Sequence, residues 1–195
     1  MKNFFSQYSY SMIKMFVNQI AISIFGFVLA MAAIAADKLI LTVILGVFSV
    51  LFYLFLIYTT TWEIGAKDRI AVDVGKKPYR PHTGLLLSLI ANIPNFIIAF
   101  LYAIAYPFMA EHRWAGNLNA ALNLISAIME GMYRGLISII TVPPSGDALY
   151  KFWWTYFLII IPALITAWVA YFTGFKNFRM FAQYFNKKSN QDLKK

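Results

Sequence analysis

Glu130 and Arg134 stand four residues apart in a mostly apolar stretch, 117–140, close enough on a helix for the carboxylate and guanidinium to pair. Ionisable groups are costly to hold in apolar surroundings, so such a pair is a functional candidate by default. We expect an outer ion pair. Its functional reading is a gate or an external ligand contact, and its plainer reading is a solvated pair on a surface helix, with the line Asn119, Asn123, Ser126 and Glu130 turned towards water or the bundle mouth. A second set of candidates is neutral. Gln19, Ser23, Tyr53, Ser88, Asn92 and Asn95 belong to stripes with spacings of three and four, which keeps each stripe on one helix face. Their amides and hydroxyls could line a polar pocket for a small uncharged or weakly polar solute, or they could tie helices to one another.

Other chemistry is missing. The chain has no cysteine, so disulfides, thiolate metal sites and a cysteine nucleophile are excluded. His82 and His112 fall far apart, and no cluster of His, Asp and Glu has metal-ligand spacing. Gly75-Lys76-Lys77 lacks the glycine and the hydroxyl residue of a phosphate loop, since Ile70 and Lys77 occupy those positions. Arg80-Pro81 with Pro144-Ser145-Gly146 resembles fragments of the motifs of membrane phosphatidate phosphatases. Asp147 stands where that family places histidine, and the later Ser-Arg and His motif is absent, so membership is not inferred. No cofactor and no metal are expected, and a membrane-bound enzyme ranks third, behind two non-enzymatic readings.

The elements that must position these residues follow from composition. Of 195 residues, 61% are hydrophobic and 13% charged, with a mean hydropathy of +0.64, whereas a soluble domain carries about 25% charged residues. That leaves too little charge to coat a water-soluble surface. A helix rises about 1.5 Å per residue, so roughly 20 apolar residues cross a hydrocarbon core of about 30 Å. Four uncharged stretches are long enough: 15–36, 39–62, 84–110 and 152–175. We therefore expect a single all-α integral membrane domain of four transmembrane helices, with Pro94 kinking the third and Pro162 bending the fourth. No carboxylate, lysine or histidine falls inside these four stretches, which argues against a proton relay. An apolar run from Met15 ending in Ala33-Ile34-Ala35 also admits a cleaved signal peptide, although it exceeds the usual length of a signal core.

Basic residues fix the expected orientation, because Lys and Arg near span ends stay in the cytoplasm. Four spans put thirteen of them (Lys2, Lys14, Lys67, Arg69, Lys76, Lys77, Arg80, Lys176, Arg179, Lys187, Lys188, Lys194 and Lys195) on one side. Only Lys38, Arg113, Arg134 and Lys151 fall on the other. Both termini are thus expected in the cytoplasm, with 63–83 a solvated cytoplasmic loop, 111–151 external and 176–195 a cytoplasmic tail. A fifth span at 117–140 would reverse the tail, so that segment is expected as an outer-leaflet interfacial or re-entrant helix. Phe175, Phe178, Phe181 and Phe185, with Lys176, Arg179 and Lys187, mark an amphipathic helix at the C-terminus. Phe4, Phe5 and Tyr8 after Lys2 hint at another at the N-terminus.

The expected partners are the bilayer, anionic lipid at the cytoplasmic face, and another membrane protein or a second copy of the chain. The net charge of +9 is spread along span ends and gathered on no soluble face, so nucleic acid is not expected. The small-residue stripes point first to a non-enzymatic accessory or scaffold subunit that packs against another membrane protein. The alternative is a carrier or channel for a small uncharged or weakly polar solute.

Overall fold

A computed structural model describes residues 2–177 as an all-α bundle. The helix α1 (Lys2–Ala35) and the helix α2 (Leu39–Asp73) form an antiparallel pair joined by residues 36–38. At about 1.5 Å per residue each is on the order of 50 Å long, well beyond the expected spans. Phe4 and Tyr8 are therefore the first turns of α1 and not a separate surface helix. Residues 63–73, expected as loop, continue α2. The helix runs on because nothing breaks it before Gly75, whose φ of +71° turns the chain at little steric cost.

The third expected span is broken. α3 (Thr83–Ala91) and α4 (Ile93–Ala105) are bent by 58° at Asn92. Pro94 lies in the first turn of α4, where its missing N–H costs least, so the break falls two residues before the proline. Asn92 supports it by donating both its N–H (3.0 Å) and its side-chain Nδ2 (2.8 Å) to the Ser88 carbonyl.

The segment expected as one helix over 117–140 is two, α5 (Arg113–Met129) and α6 (Gly131–Ile139), separated at Glu130. A two-residue antiparallel ladder follows, β1 (Thr141–Val142) with β2 (Asp147–Ala148). The fourth span comprises α7 (Thr155–Leu158) and α8 (Ile161–Phe175), with Pro162 again in a first turn. Of the predicted C-terminal surface helix only Phe175 and Lys176 belong to the described residues.

Among the described residues, Phe4–Ala35, Leu39–Asp73 and Thr155–Phe175 are long and apolar enough to cross a membrane. The bent α3–α4 pair makes a fourth if counted as one span. Small residues let these helices touch. A Cβ on Gly65 would overlap the Tyr171 carbonyl, one on Gly174 the Trp62 carbonyl and one on Gly84 the Ala167 carbonyl, which clamps α2 and α3 onto α8. On the other side of the bundle Gly26 abuts the Met132 backbone, and Gly131 abuts the Ser23 carbonyl. Large apolar side chains meanwhile point outwards, Ile40, Leu51, Ile104 and Leu124 among them, so the bundle wears its hydrophobic residues outside.

Candidate functional site

The interruption at Glu130 organises the centre of the molecule. Glu130 adopts φ −128° and ψ 25°, outside the helical region, and the Tyr133 N–H bonds to the Glu130 carbonyl at 2.9 Å. In an unbroken helix that N–H would reach back to the Met129 carbonyl. Freed, the Met129 carbonyl accepts from Ser23 Oγ at 2.6 Å and from Gln19 Nε2 at 3.3 Å, both on α1. A broken helix at depth is tolerated only where other protein groups satisfy the released backbone. The α1 stripe does this: Gln19 and Ser23 seize the break, and Gly26 admits the backbone of α6. As α6 advances from Gly131 to Gly135 it moves from Ser23 to Ala30, running alongside α1 in the same direction. Arg134 Nη1 donates to Asn123 Oδ1 at 3.1 Å, so residues on either arm of the break face each other and the chain doubles back at Glu130.

This corrects the expected ion pair. Glu130 and Arg134 make no salt bridge, because the break removes the helical turn that would have stacked them. Arg134 instead bonds to Asn123 and lies 4.3 Å from the Tyr150 ring centroid. Asn123 also donates to the Tyr156 hydroxyl (3.2 Å), and that hydroxyl donates to the Tyr150 carbonyl (2.8 Å). Glu130 is 4% exposed, and among the described residues neither carboxylate oxygen has a hydrogen-bond partner. Tyr53 and Tyr133 lie within its electrostatic range, their rings edge to face at 6.2 Å. The Tyr133 hydroxyl and Gln19 Oε1 are likewise buried without a partner.

Of the two directions expected for the polar line of α5, the one towards water is overturned. Asn119, Ser126 and Glu130 are buried, while Leu124 (62%), Ile125 (46%) and Ile128 (44%) are exposed. The expected arrangement assumed a helix lying in water-rich headgroups. Docking onto α1 and α4 turns the polar face inwards instead.

The six residues expected to line one pocket divide into two groups. Gln19 and Ser23 hold the α5–α6 break, and Tyr53 packs on Tyr133 beside it. Ser88, Asn92 and Asn95 bond locally around the α3–α4 bend, Asn95 Nδ2 donating to Asn92 Oδ1 at 2.9 Å, with Asn95 Oδ1 left unpaired. They stabilise a kink and, among the described residues, bridge no pair of neighbouring spans.

One polar cluster escaped the sequence reading. Asp68, expected in a solvated loop, is 5% exposed. It accepts from Lys77 Nζ at 2.5 Å, from the Tyr171 hydroxyl at 2.9 Å and from the Tyr8 hydroxyl, tying α1, α2, α8 and the following loop together. The signal was present. The buried stripe Thr42, Gly46, Ser49, Tyr53 continues at the same spacing through Ile57, Thr61, Ile64 and Asp68.

Two crevices lie between α1 and α2. One, of about 250 Å³, opens among Tyr10, Lys14, Glu63, Lys67 and Asp68 and reaches Thr60. The second begins at Thr60, runs past Met15, Asn18, Leu56 and Ile57 to Tyr53, and is too tight to admit water. An apolar groove of about 400 Å³ lies elsewhere, between the start of α1 and the α3–α4 bend.

No protein-family model matches the chain, and comparison with curated proteins and with solved structures finds no match either.

Proposed function

We propose that this chain is a multi-pass membrane protein that carries or conducts a small polar solute. In this reading α5 and α6 form a re-entrant hairpin that enters and leaves by one face, and the solute passes its tip. The observation that carries the reading is the inverted polarity of α5: apolar residues outside, an amide and carboxylate line inside. That is the arrangement of a helix surrounded by hydrocarbon and lining a polar interior. The charge rule then sets Lys14, Lys67 and Lys76 in the cytoplasm and the hairpin mouth outside.

The competing scaffold reading rested on stripes of small residues free to receive a partner. Gly26, Gly46 and Gly174 of those stripes are pressed against the chain's own helices, so they give that reading less support. Buried polar groups with no partner in the bundle centre, by contrast, weaken a scaffold and suit a solute site.

Asn119 supplies the test. It is 2% exposed, and neither its Oδ1 nor its Nδ2 has a partner among the described residues, so its amide makes no hydrogen bond that holds the described bundle together. An apolar side chain of similar size is neutral or stabilising at such a site. Purified protein in liposomes is expected to raise glycerol and urea permeability in a light-scattering assay. Asn119→Leu is expected to lower that permeability towards empty vesicles while melting at the same temperature or higher. Wild-type vesicles no leakier than empty ones, together with a stoichiometric unlike partner in mild detergent, would return the protein to the scaffold class.

A further inference from the structure

We propose that Glu130 is a proton-binding site reached from the Lys14 and Lys67 end of the bundle, through the α1–α2 crevice, with Tyr53 as its gate. The inference rests on the re-entrant reading and adds to it the ion that the site takes.

Three observations meet here. First, a carboxylate buried with neither a hydrogen bond nor a paired cation among the described residues is the least tolerable state of that group. Gln19 and Ser23 from α1 are neutral and already bonded to Met129; Tyr53 from α2, Tyr133 from α6 and Tyr156 from α7 are phenols. Arg134, the cation nearest in sequence, is held away by Asn123 and Tyr150. Binding a proton neutralises Glu130 where it stands: a hydronium ion gives its proton to a carboxylate oxygen and leaves as water.

Second, the two crevices share Thr60 and lie end to end. They lead from a charged mouth at Lys14, Glu63 and Lys67 to Tyr53, whose ring touches Tyr133 beside the carboxylate. The inner crevice is closed to water as it stands, and Tyr53, 3% exposed, is the lining residue that also packs on Tyr133. As the gate, that ring moves to let water pass from the outer crevice towards Glu130. Third, the opposite approach is stoppered. Arg134, Asn123, Tyr150 and Tyr156 form a continuous bonded plug, and Tyr102 packs on Tyr156 with the ring centroids 4.7 Å apart. Access is therefore from one side.

The test is infrared spectroscopy of the detergent-purified full chain. At neutral pH the wild type is expected to show a protonated carboxyl stretch that Glu130→Gln removes. Transfer to deuterated water should shift that band slowly, and Tyr53→Ala should speed the shift by roughly tenfold or more by opening the inner crevice. Tyr53→Leu serves the same purpose with less lost packing if the alanine variant does not purify as a single species. A wild type with no such band, a band that survives in Glu130→Gln, or an exchange rate untouched by both Tyr53 variants would each overturn the proposal. The readout needs no solute movement. Vesicles that stay impermeable while the band behaves as expected sink the carrier reading alone, and permeable vesicles without the band sink the proton site alone.

Discussion

Asp68 shows how much one side chain can hold when α1, α8 and the loop after α2 converge on it. Three donors from three parts of the chain meet its carboxylate, and Lys77, the balancing cation, is itself 15% exposed at the side chain. Removing one partner of a buried pair strands the other, at a cost of about 3–5 kcal/mol. Lys77 keeps some path to water, so Asp68→Ala is expected near the low end, about 3 kcal/mol. Tyr171→Phe deletes one hydrogen bond to a charged group and should cost about 1.5 kcal/mol. Thermal unfolding in detergent checks both, and an Asp68→Ala protein as stable as Tyr171→Phe would mean that the carboxylate is not the hub described. Asp68 was legible in the sequence to a reader who carried the α2 stripe past Trp62 at its own spacing. Glu130 was not. Its burial depends on where Gln19 and Ser23, more than a hundred residues away, meet the Met129 carbonyl, and no local pattern encodes that register.

At the scale of elements, the long apolar helices could be read from hydropathy because length and absence of charge are local properties. The breaks could be read only in part. Pro94 and Pro162 announced interruptions, yet each sits in a first turn, so the helix is interrupted before the proline in both cases, with a bend of 58° at the first. The α5–α6 break has no proline at all. It forms because Gly131 can press against the Ser23 carbonyl, a contact that any side chain would prevent. Gly131→Ala is accordingly expected to pry the hairpin from α1 and to destabilise by about 2–3 kcal/mol, the cost of overpacking a tight site. Gly116→Ala, in the same hairpin, is the control. A Cβ there meets nothing nearer than the Met109 carbonyl at 4.0 Å, and alanine in a helix interior gains about 0.5–1 kcal/mol over glycine. Parallel denaturation of the two variants should move in opposite directions, and equal shifts would contradict the packing of α6 on α1.

For the whole molecule, two asymmetries must agree if the proposed reading holds. Apolar side chains face outwards along the bundle, as hydrocarbon demands, and basic residues crowd one end, as the charge rule demands. The Lys14, Lys67 and Lys77 end is also where α1 begins and α2 finishes, held together by Asp68. The hairpin mouth, at Arg113 and at the β1–β2 turn, belongs to the sparsely basic end. Between them sits a bundle that keeps one amide, Asn119, and one carboxylate, Glu130, buried and without a partner among the described residues.

Because the chain has no cysteine, each face can be addressed by a single introduced thiol. His112→Cys and Ser145→Cys flank the hairpin at exposed positions, and Lys76→Cys follows α2. Labelling intact cells with a membrane-impermeant maleimide should modify the first two and spare the third until the membrane is opened. Should His112→Cys and Ser145→Cys prove reachable from opposite faces, the hairpin crosses the membrane, Glu130 is no tip, and the account of a re-entrant polar site fails.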